Sequence, residues 1–271
     1  MELKFIKTSP TENMTLLIET PVPREEHLEV AEKLIAYGSV YAEQAGYIEE
    51  AENPAAVKRL QMMAGEFCGN ASLSLAAVLA EEKGLKPGEE TEIVLEVSGA
   101  DSLVNCYMKK EEKGFSGRVA MPLPKAIEHK KFHLHGEAYD LDVVVFEGIS
   151  HIIVPVSLWG ETAVEKAEQA AKEWAAEMPA AFGILLFNEE KGECSPLVSI
   201  QGATLIWERG CGSGTSAIGV YLAMKAEKSL AVSLKQPGGI MGAEVFVENG
   251  KIQSLHITGK VSIVAKGTAY L

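Results

Sequence analysis

Basic residues are in short supply. The chain of 271 residues carries 25 Lys and Arg against 38 Asp and Glu, a net charge of −13. A nucleic-acid surface needs clustered Lys and Arg, so no nucleic-acid partner is expected. Long apolar runs are missing as well. The longest, Ile152 to Val156 and Gly183 to Phe187, are far too short to cross a bilayer and suit buried strands. The opening MELKFIKTSP has neither a long apolar core nor a small-residue cleavage site, so the expectation is a cytoplasmic protein without a membrane partner. Cysteines number four, at positions 68, 106, 194 and 211, too few for a disulfide framework. They form no C-x-x-C pair and have no zinc-spaced histidines, so no metal site is expected. No lysine is set in a phosphate cup, so no pyridoxal cofactor is expected, nor any other.

What is present is a repetition. Cys68-Gly69-Asn70-Ala71-Ser72 opens a run that ends in Leu79-Ala80, and Cys211-Gly212-Ser213-Gly214-Thr215 opens one that ends in Leu222-Ala223, at the same offset. A cysteine followed by small residues and a helix-forming stretch puts the thiol at the positive end of a helix, where backbone N–H groups favour a thiolate and bind anions. Two such thiols flanking one substrate carbon, with its carboxylate on the helix ends, suit a cofactor-free amino-acid racemase. One cysteine takes the Cα proton as thiolate while the other delivers a proton as thiol. The base needs its thiol pKa lowered, which helix ends can do. Backbone N–H groups at Gly69-Asn70 and Gly212-Ser213 are placed to stabilise the enolate-like charge, and small residues there let the substrate approach closely. The plainer reading makes both cysteines buried helix starts or a disulfide. Cys106, in a strand-like run, reads as packing, and Cys194, in a polar turn, as incidental surface.

The length fits one large or two medium domains. The order of elements reads as strands at 3–8 and 14–19, a helix at 24–36, a strand at 40–48, the first thiol helix to 83, and strands at 92–97 and 103–108. Pro122 and Pro124 mark a boundary. Strands at 132–135, 139–147 and 151–156 follow, then a helix at 162–176 and strands at 184–187, 197–200 and 204–207. The second thiol helix runs to 225, and strands at 230–234, 243–247, 252–258 and 260–271 close the chain.

These segments resemble the diaminopimelate-epimerase-like superfamily of pyridoxal-independent racemases and epimerases, and within it the histidine racemases of opine-type metallophore biosynthesis. The resemblance is carried by Ser9-Pro10-Thr11-Glu12-Asn13-Met14-Thr15, Gly65-Glu66-Phe67-Cys68-Gly69-Asn70-Ala71, Leu205-Ile206-Trp207-Glu208 through Thr215, Gln236-Pro237-Gly238-Gly239 and Gly267-Thr268-Ala269-Tyr270. It implies an α+β fold of two pseudo-symmetric halves, each a curved, mostly antiparallel sheet rolled around a central helix. The halves would be residues 1–122 with 262–271, carrying Cys68, and residues 123–261, carrying Cys211. It implies racemisation of L- and D-histidine with catalytic Cys68 and Cys211, no cofactor, a small amino-acid substrate and a homodimer.

Around the thiols, Asn13 is a candidate for the substrate carboxylate or a plain turn residue. Glu43 can pair with a substrate imidazole or be a solvated strand residue. Glu208 can hold the substrate ammonium or lie near a helix start as an anion. His151 is a pocket donor or a satisfied core histidine, and Trp207 reads as core. Gln236 to Gly239 reads as a turn bordering the site. Diaminopimelate epimerases use an Arg several residues before the second cysteine and an Asn before a Pro-His. Here Arg209 stands two residues ahead of Cys211 and the second segment is Gly148-Ile149-Ser150-His151, which disfavours diaminopimelate. Histidine racemases share the short Trp-Glu-x-x-Cys spacing, so the resemblance favours histidine. Racemases or epimerases of proline-like and other amino acids remain alternatives, as do a small-carboxylate binding module and a redox protein. The phenazine-type isomerases share the fold without the cysteine pair.

Overall fold

The computed structural model describes residues 1–202 and 204–271. Its backbone divides into two compact units, Met1–Met121 with His256–Leu271, and Pro122–Leu255.

In the first unit, strands β1 (Glu2–Pro10), β2 (Thr15–Ile18), β3 (Gln44–Glu49), β4 (Lys58–Met62), β5 (Glu90–Val97), β6 (Val104–Lys110) and β7 (Phe115–Ala120) lie side by side in sequence order. The final strand, β16 (Lys251–Tyr270), pairs with β7 from His256 to Val261 and with β1 from Val261 to Tyr270, so this sheet closes on itself. Two neighbouring pairs are parallel, β2 with β3 and β4 with β5. Parallel neighbours need a crossover. Helix α1 (His27–Ile35) makes the first and α2 (Gly69–Glu82) the second.

The two helices are placed by their sequences. From Gly69 to Ala80 every residue of α2 is buried, and the run Asn-Ala-Ser-Leu-Ser-Leu-Ala-Ala-Val-Leu-Ala offers no charged face. Such a helix must be enclosed, and α2 touches every strand from β1 to β7. Its buried hydroxyls find partners, Ser74 accepting from Thr8 at 2.9 Å. Helix α1 has one apolar stripe, Val30, Ala31 and Leu34, laid on Leu3, Leu16, Ile18 and Tyr47. Val30 and Leu34 each contribute roughly 1.5–3 kcal/mol of burial.

The second unit repeats the plan with β8 (Ala126–Leu134), β9 (Glu137–Val145), β10 (Ser150–Pro155), short α3 (Val156–Trp159), α4 (Ala163–Glu173), β11 (Ala181–Asn188), β12 (Glu193–Ile200), β13 (Thr204–Trp207), α5 (Gly212–Lys225), β14 (Leu230–Gln236) and β15 (Gly239–Glu248). Again two pairs are parallel: β10 with β11, bridged by α4, and β12 with β14, bridged through α5. Amphipathic α4 buries Ala163, Ala167, Ala170 and Ala171 against Phe132, Phe182 and Ile184, with Trp159 and Trp174 filling the remaining volume. Helix α5 is buried almost throughout and packs so closely on β15 that a Cβ on Gly219 would come within 2.6 Å of Ala243. Among the described residues no helix is long and apolar enough to cross a membrane.

Several elements differ from the sequence reading. Strands β4 and β7 were not foreseen. Residues 40–43 are not strand but a loop that returns from α1, and β3 starts at Gln44. The last two expected strands are one, because Gly259 continues the ladder opposite Gly117 instead of breaking it. Cys106 is buried packing as expected, its thiol pushed far up by desolvation. Cys194 is not surface: the strand begins at Glu193, so its side chain turns inward, and burial raises the thiol to about 12.

Candidate active site

Each unit presents one cysteine at the N-cap of its enclosed helix, and the two caps match bond for bond. Cys68 is extended (φ −136°, ψ 112°), and Cys211 likewise (φ −103°, ψ 110°). The Ala71 N–H donates to Cys68 Sγ at 3.4 Å, and the Gly214 N–H to Cys211 Sγ at 3.3 Å. The cap carbonyls accept from hydroxyls four residues on, Ser72 Oγ at 2.8 Å and Thr215 Oγ1 at 2.6 Å. Sulfur therefore stands where a capping oxygen usually satisfies an orphan helix donor.

Around Cys68 a chain of amides and a carboxylate is closed by hydrogen bonds. The Cys68 thiol donates to Gln44 Oε1 at 3.1 Å. Gln44 Nε2 donates to Asn13 Oδ1 at 2.6 Å and to Thr15 Oγ1 at 2.9 Å. Asn13 Nδ2 donates to Glu43 Oε2 at 2.7 Å. Each amide is thereby fixed in one orientation. The turn that delivers Asn13 passes through Thr11 and Glu12 at positive φ and is tied by the Asn13 N–H to Pro10 O at 3.0 Å. Asn13 and Glu43, both predicted from sequence, belong to this network, although Glu43 precedes β3 and is not a strand residue. Gln44 and Thr15 were missed. Nothing but proximity to the motifs marked them.

Around Cys211 the surroundings are different. Its N–H donates to Gln236 Oε1 at 2.8 Å, and Gln236 Nε2 donates to Thr215 Oγ1 at 2.6 Å. The Cys211 thiol lies 3.5 Å from Ser213 Oγ, and the Glu208 carboxylate is near enough for its charge to act on it. Ser213 Oγ is 2.9 Å from His151 Nε2. His151 is fully buried, and desolvation lowers its pKa to about 3, so the ring is neutral. Its Nδ1 is buried without a partner. An orphaned N–H is the costlier alternative, which puts the proton on Nε2 facing Ser213. The Ser213 hydroxyl is then available to Cys211.

Burial raises the Cys211 pKa well above the ordinary thiol range, and the Glu208 charge raises it further. Ser213 and the Gly214 N–H act the other way and are outweighed. The expectation that the helix end lowers the resting thiol pKa is therefore overturned at Cys211. Desolvation in an enclosed site outweighs a partial dipole charge. Glu208 is itself raised by burial.

The small residues of the motifs have packing reasons as well. A Cβ on Gly69 would come within 2.7 Å of Met121 Sδ and 2.8 Å of Ile257 Cδ1, so this glycine seats the start of α2 against its own unit. A Cβ on Gly214 would crowd Leu185 Cδ2 at 2.9 Å and Cys211 Sγ at 3.2 Å. Gly212 is buried at the first position of α5, and Asn70 at the second position of α2. Gln236 to Gly239 is the hairpin turn between β14 and β15, as read from sequence, and its first residue, Gln236, is buried and bonded to the cap. Trp207 is half-buried, its indole N–H donating to Glu168 at 2.9 Å. Among the described residues no group of three His, Cys, Asp or Glu side chains is placed to hold a metal ion.

The chain is similar throughout its length to known proteins. A family model described as the histidine racemase CntK N-terminal domain matches residues 2–270. A histidine racemase of Fusobacterium nucleatum is 32% identical over 274 residues, covering 99% of this chain and 97% of its own. One of Staphylococcus aureus is 29% identical over 278 residues, covering 99% and 98%. The crystal structure of a hydroxyproline epimerase from Agrobacterium vitis, with bound trans-4-hydroxy-L-proline, has the same fold: TM-score 0.75 at 13% identity, covering 100% of this chain and 93% of that one. By its full-length family match and its identity to these relatives, the chain belongs to the histidine racemase family.

Proposed function

We propose that the chain interconverts L- and D-histidine by moving the Cα proton with Cys68 and Cys211 as the two bases, without a cofactor. The observation that carries this reading is the matched pair of thiol caps in a member of this family. One thiolate removes the Cα proton, and the other thiol returns a proton to the opposite face. The N–H groups of Gly69, Asn70, Gly212 and Ser213 lie at helix starts, where the helix dipole is positive, and suit the carboxylate as it gains enolate character.

The Cys68 thiol, which donates to Gln44, loses its proton to solvent before it acts as the base. Cys211 is protonated at neutral pH and serves first as the acid. Delivering its proton leaves Cys211 as a thiolate held by Ser213 and the Gly214 N–H, while Cys68 has taken the Cα proton and become the thiol, which is the state the reverse direction starts from. The amides of Asn13, Gln44 and Gln236 hold the caps and the substrate carboxylate in place. His151 acts through Ser213 and does not itself carry the proton.

The test is deuterium incorporation at Cα of L-histidine, with reductant and no added cofactor, alongside chiral separation of the product. Wild type is expected to give Cα-deuterated D-histidine. Cys68→Ala and Cys211→Ala are each expected to lose racemisation by at least about 10³-fold while staying folded. Full activity in either variant overturns the two-base scheme. Exchange with another amino acid only replaces the substrate. No exchange with any, together with ligand affinity kept in Cys→Ser variants, leaves the small-carboxylate binding module.

A further inference from the structure

The loop between α1 and β3 carries an exposed aromatic pair on a strained backbone, next to the Cys68 network. The C-terminal carbonyls of α1 are taken up as the chain returns: the Val40 N–H donates to Leu34 O at 3.1 Å and the Ala42 N–H to Ile35 O at 3.2 Å. Lys7 Nζ holds Val40 O at 3.1 Å, and the Glu43 N–H then donates to Met14 O at 2.9 Å. Between these fixed points the chain reverses through Tyr41 at φ 58°, in the left-handed region. Gly or Asn fills such a position at little cost, and a bulky side chain does so only under strain.

Folding has no use for the ring placed there. Tyr41 is 56% exposed and Tyr37 88% exposed. The two rings meet edge to face, centroids 5.5 Å apart at 78°. An edge-to-face pair leaves a ring face open. Two residues beyond Tyr41 is Glu43, whose carboxylate holds Asn13, and three beyond is Gln44, whose amide oxygen accepts the hydrogen bond of the Cys68 thiol. Backbone strain of this kind gathers at ligand sites.

We propose that Tyr37 and Tyr41 form an aromatic rim that receives the planar imidazole of the substrate, held protonated opposite Glu43, so that this loop sets side-chain specificity. An imidazolium between a tyrosine face and a carboxylate gains from both, and an aliphatic side chain gains from neither. The proposal rests on the histidine reading above.

Steady-state exchange of L-histidine by the full-length enzyme tests it, comparing wild type with Tyr41→Gly, Tyr41→Asn, Tyr41→Phe and Tyr37→Ala. Gly and Asn tolerate the left-handed backbone, so both variants should melt no lower than wild type. Their KM for L-histidine should rise about tenfold with kcat changed by no more than about twofold, the worth of one cation–π contact. Tyr41→Phe should recover most of that loss, and Tyr37→Ala should show a smaller rise. KM unchanged in folded Tyr41→Gly and Tyr41→Asn overturns the rim while the histidine reading stands. Wild type that fails to exchange histidine overturns both.

Discussion

At the scale of single residues, the second thiol site depends on a histidine that burial keeps neutral even at pH values where an exposed imidazole is protonated. His151 titrates near 6.5 when unfolded and near 3 when folded, because no charged form is solvated in its pocket. Between these values the unfolded chain binds the extra proton. Stability is therefore fully present above pH 6.5 and is lost as pH falls, by about 1.4 kcal/mol per pH unit, until near pH 3. Other groups titrate in the same window, Glu208 with the opposite sign, so the difference from a variant isolates the term. His151→Gln keeps an N–H for Ser213 and removes the titration. From pH 6.5 to 5, urea unfolding of wild type should lose about 2 kcal/mol more than the variant does. Equal losses would show that His151 is not the buried neutral group described. This arrangement was only half legible in sequence. His151 stood out as a histidine on a strand, but its partner Ser213 is 62 positions away and only the folded pair reveals the relay to Cys211.

At the scale of elements, that histidine is housed by the parallel pair β10–β11. Gly183 is the register partner of His151, and a Cβ there would stand 2.3 Å from Nδ1. The ring is enclosed and cannot swing away, so Gly183→Ala is an overpacking change costing about 1–3 kcal/mol. It should also pull Nε2 from Ser213 and slow turnover. Paired thermal melts and exchange assays check this; a variant with wild-type stability and rate would mean the pocket is roomier than the packing indicates. The run Gly183 to Phe187 reads as a buried strand, and so it is, but the glycine's purpose appears only with its neighbour. The central helices were legible because they lack a polar face. Strand β4 was not, since Lys58, Arg59 and Gln61 outnumber Leu60 and Met62. Strand β7 hid behind Gly117, a breaker by propensity, which is there because a Cβ would sit 2.6 Å from Met108 Sδ and 2.8 Å from Leu73 Cδ2. Cys194 was misread because a turn and a strand start look alike in a polar run.

At the scale of the whole molecule, the repetition that began as two cysteine motifs extends to topology: two parallel crossovers per unit, one helix outside the sheet and one enclosed. Chain order alone does not close the first unit. Residues 1–121 leave β7 without its β16 partner and β1 with one edge bare, and two unpaired edges invite association. The missing strand arrives from the far end of the chain, where Ala120 and His256 stand as register partners. Antiparallel partners at that separation can be joined by a two-residue Asn-Gly turn. A chain of residues 1–120, Asn-Gly and residues 256–271 should therefore fold alone, with dispersed amide resonances and a cooperative melt. Residues 1–121 without the returning strand should aggregate or stay unfolded. If both fold equally well, β16 adds little to the first unit and the ring closure is incidental. If neither folds, the first unit depends on residues 122–255, and the enclosed helix with its thiol cap is an achievement of the complete chain.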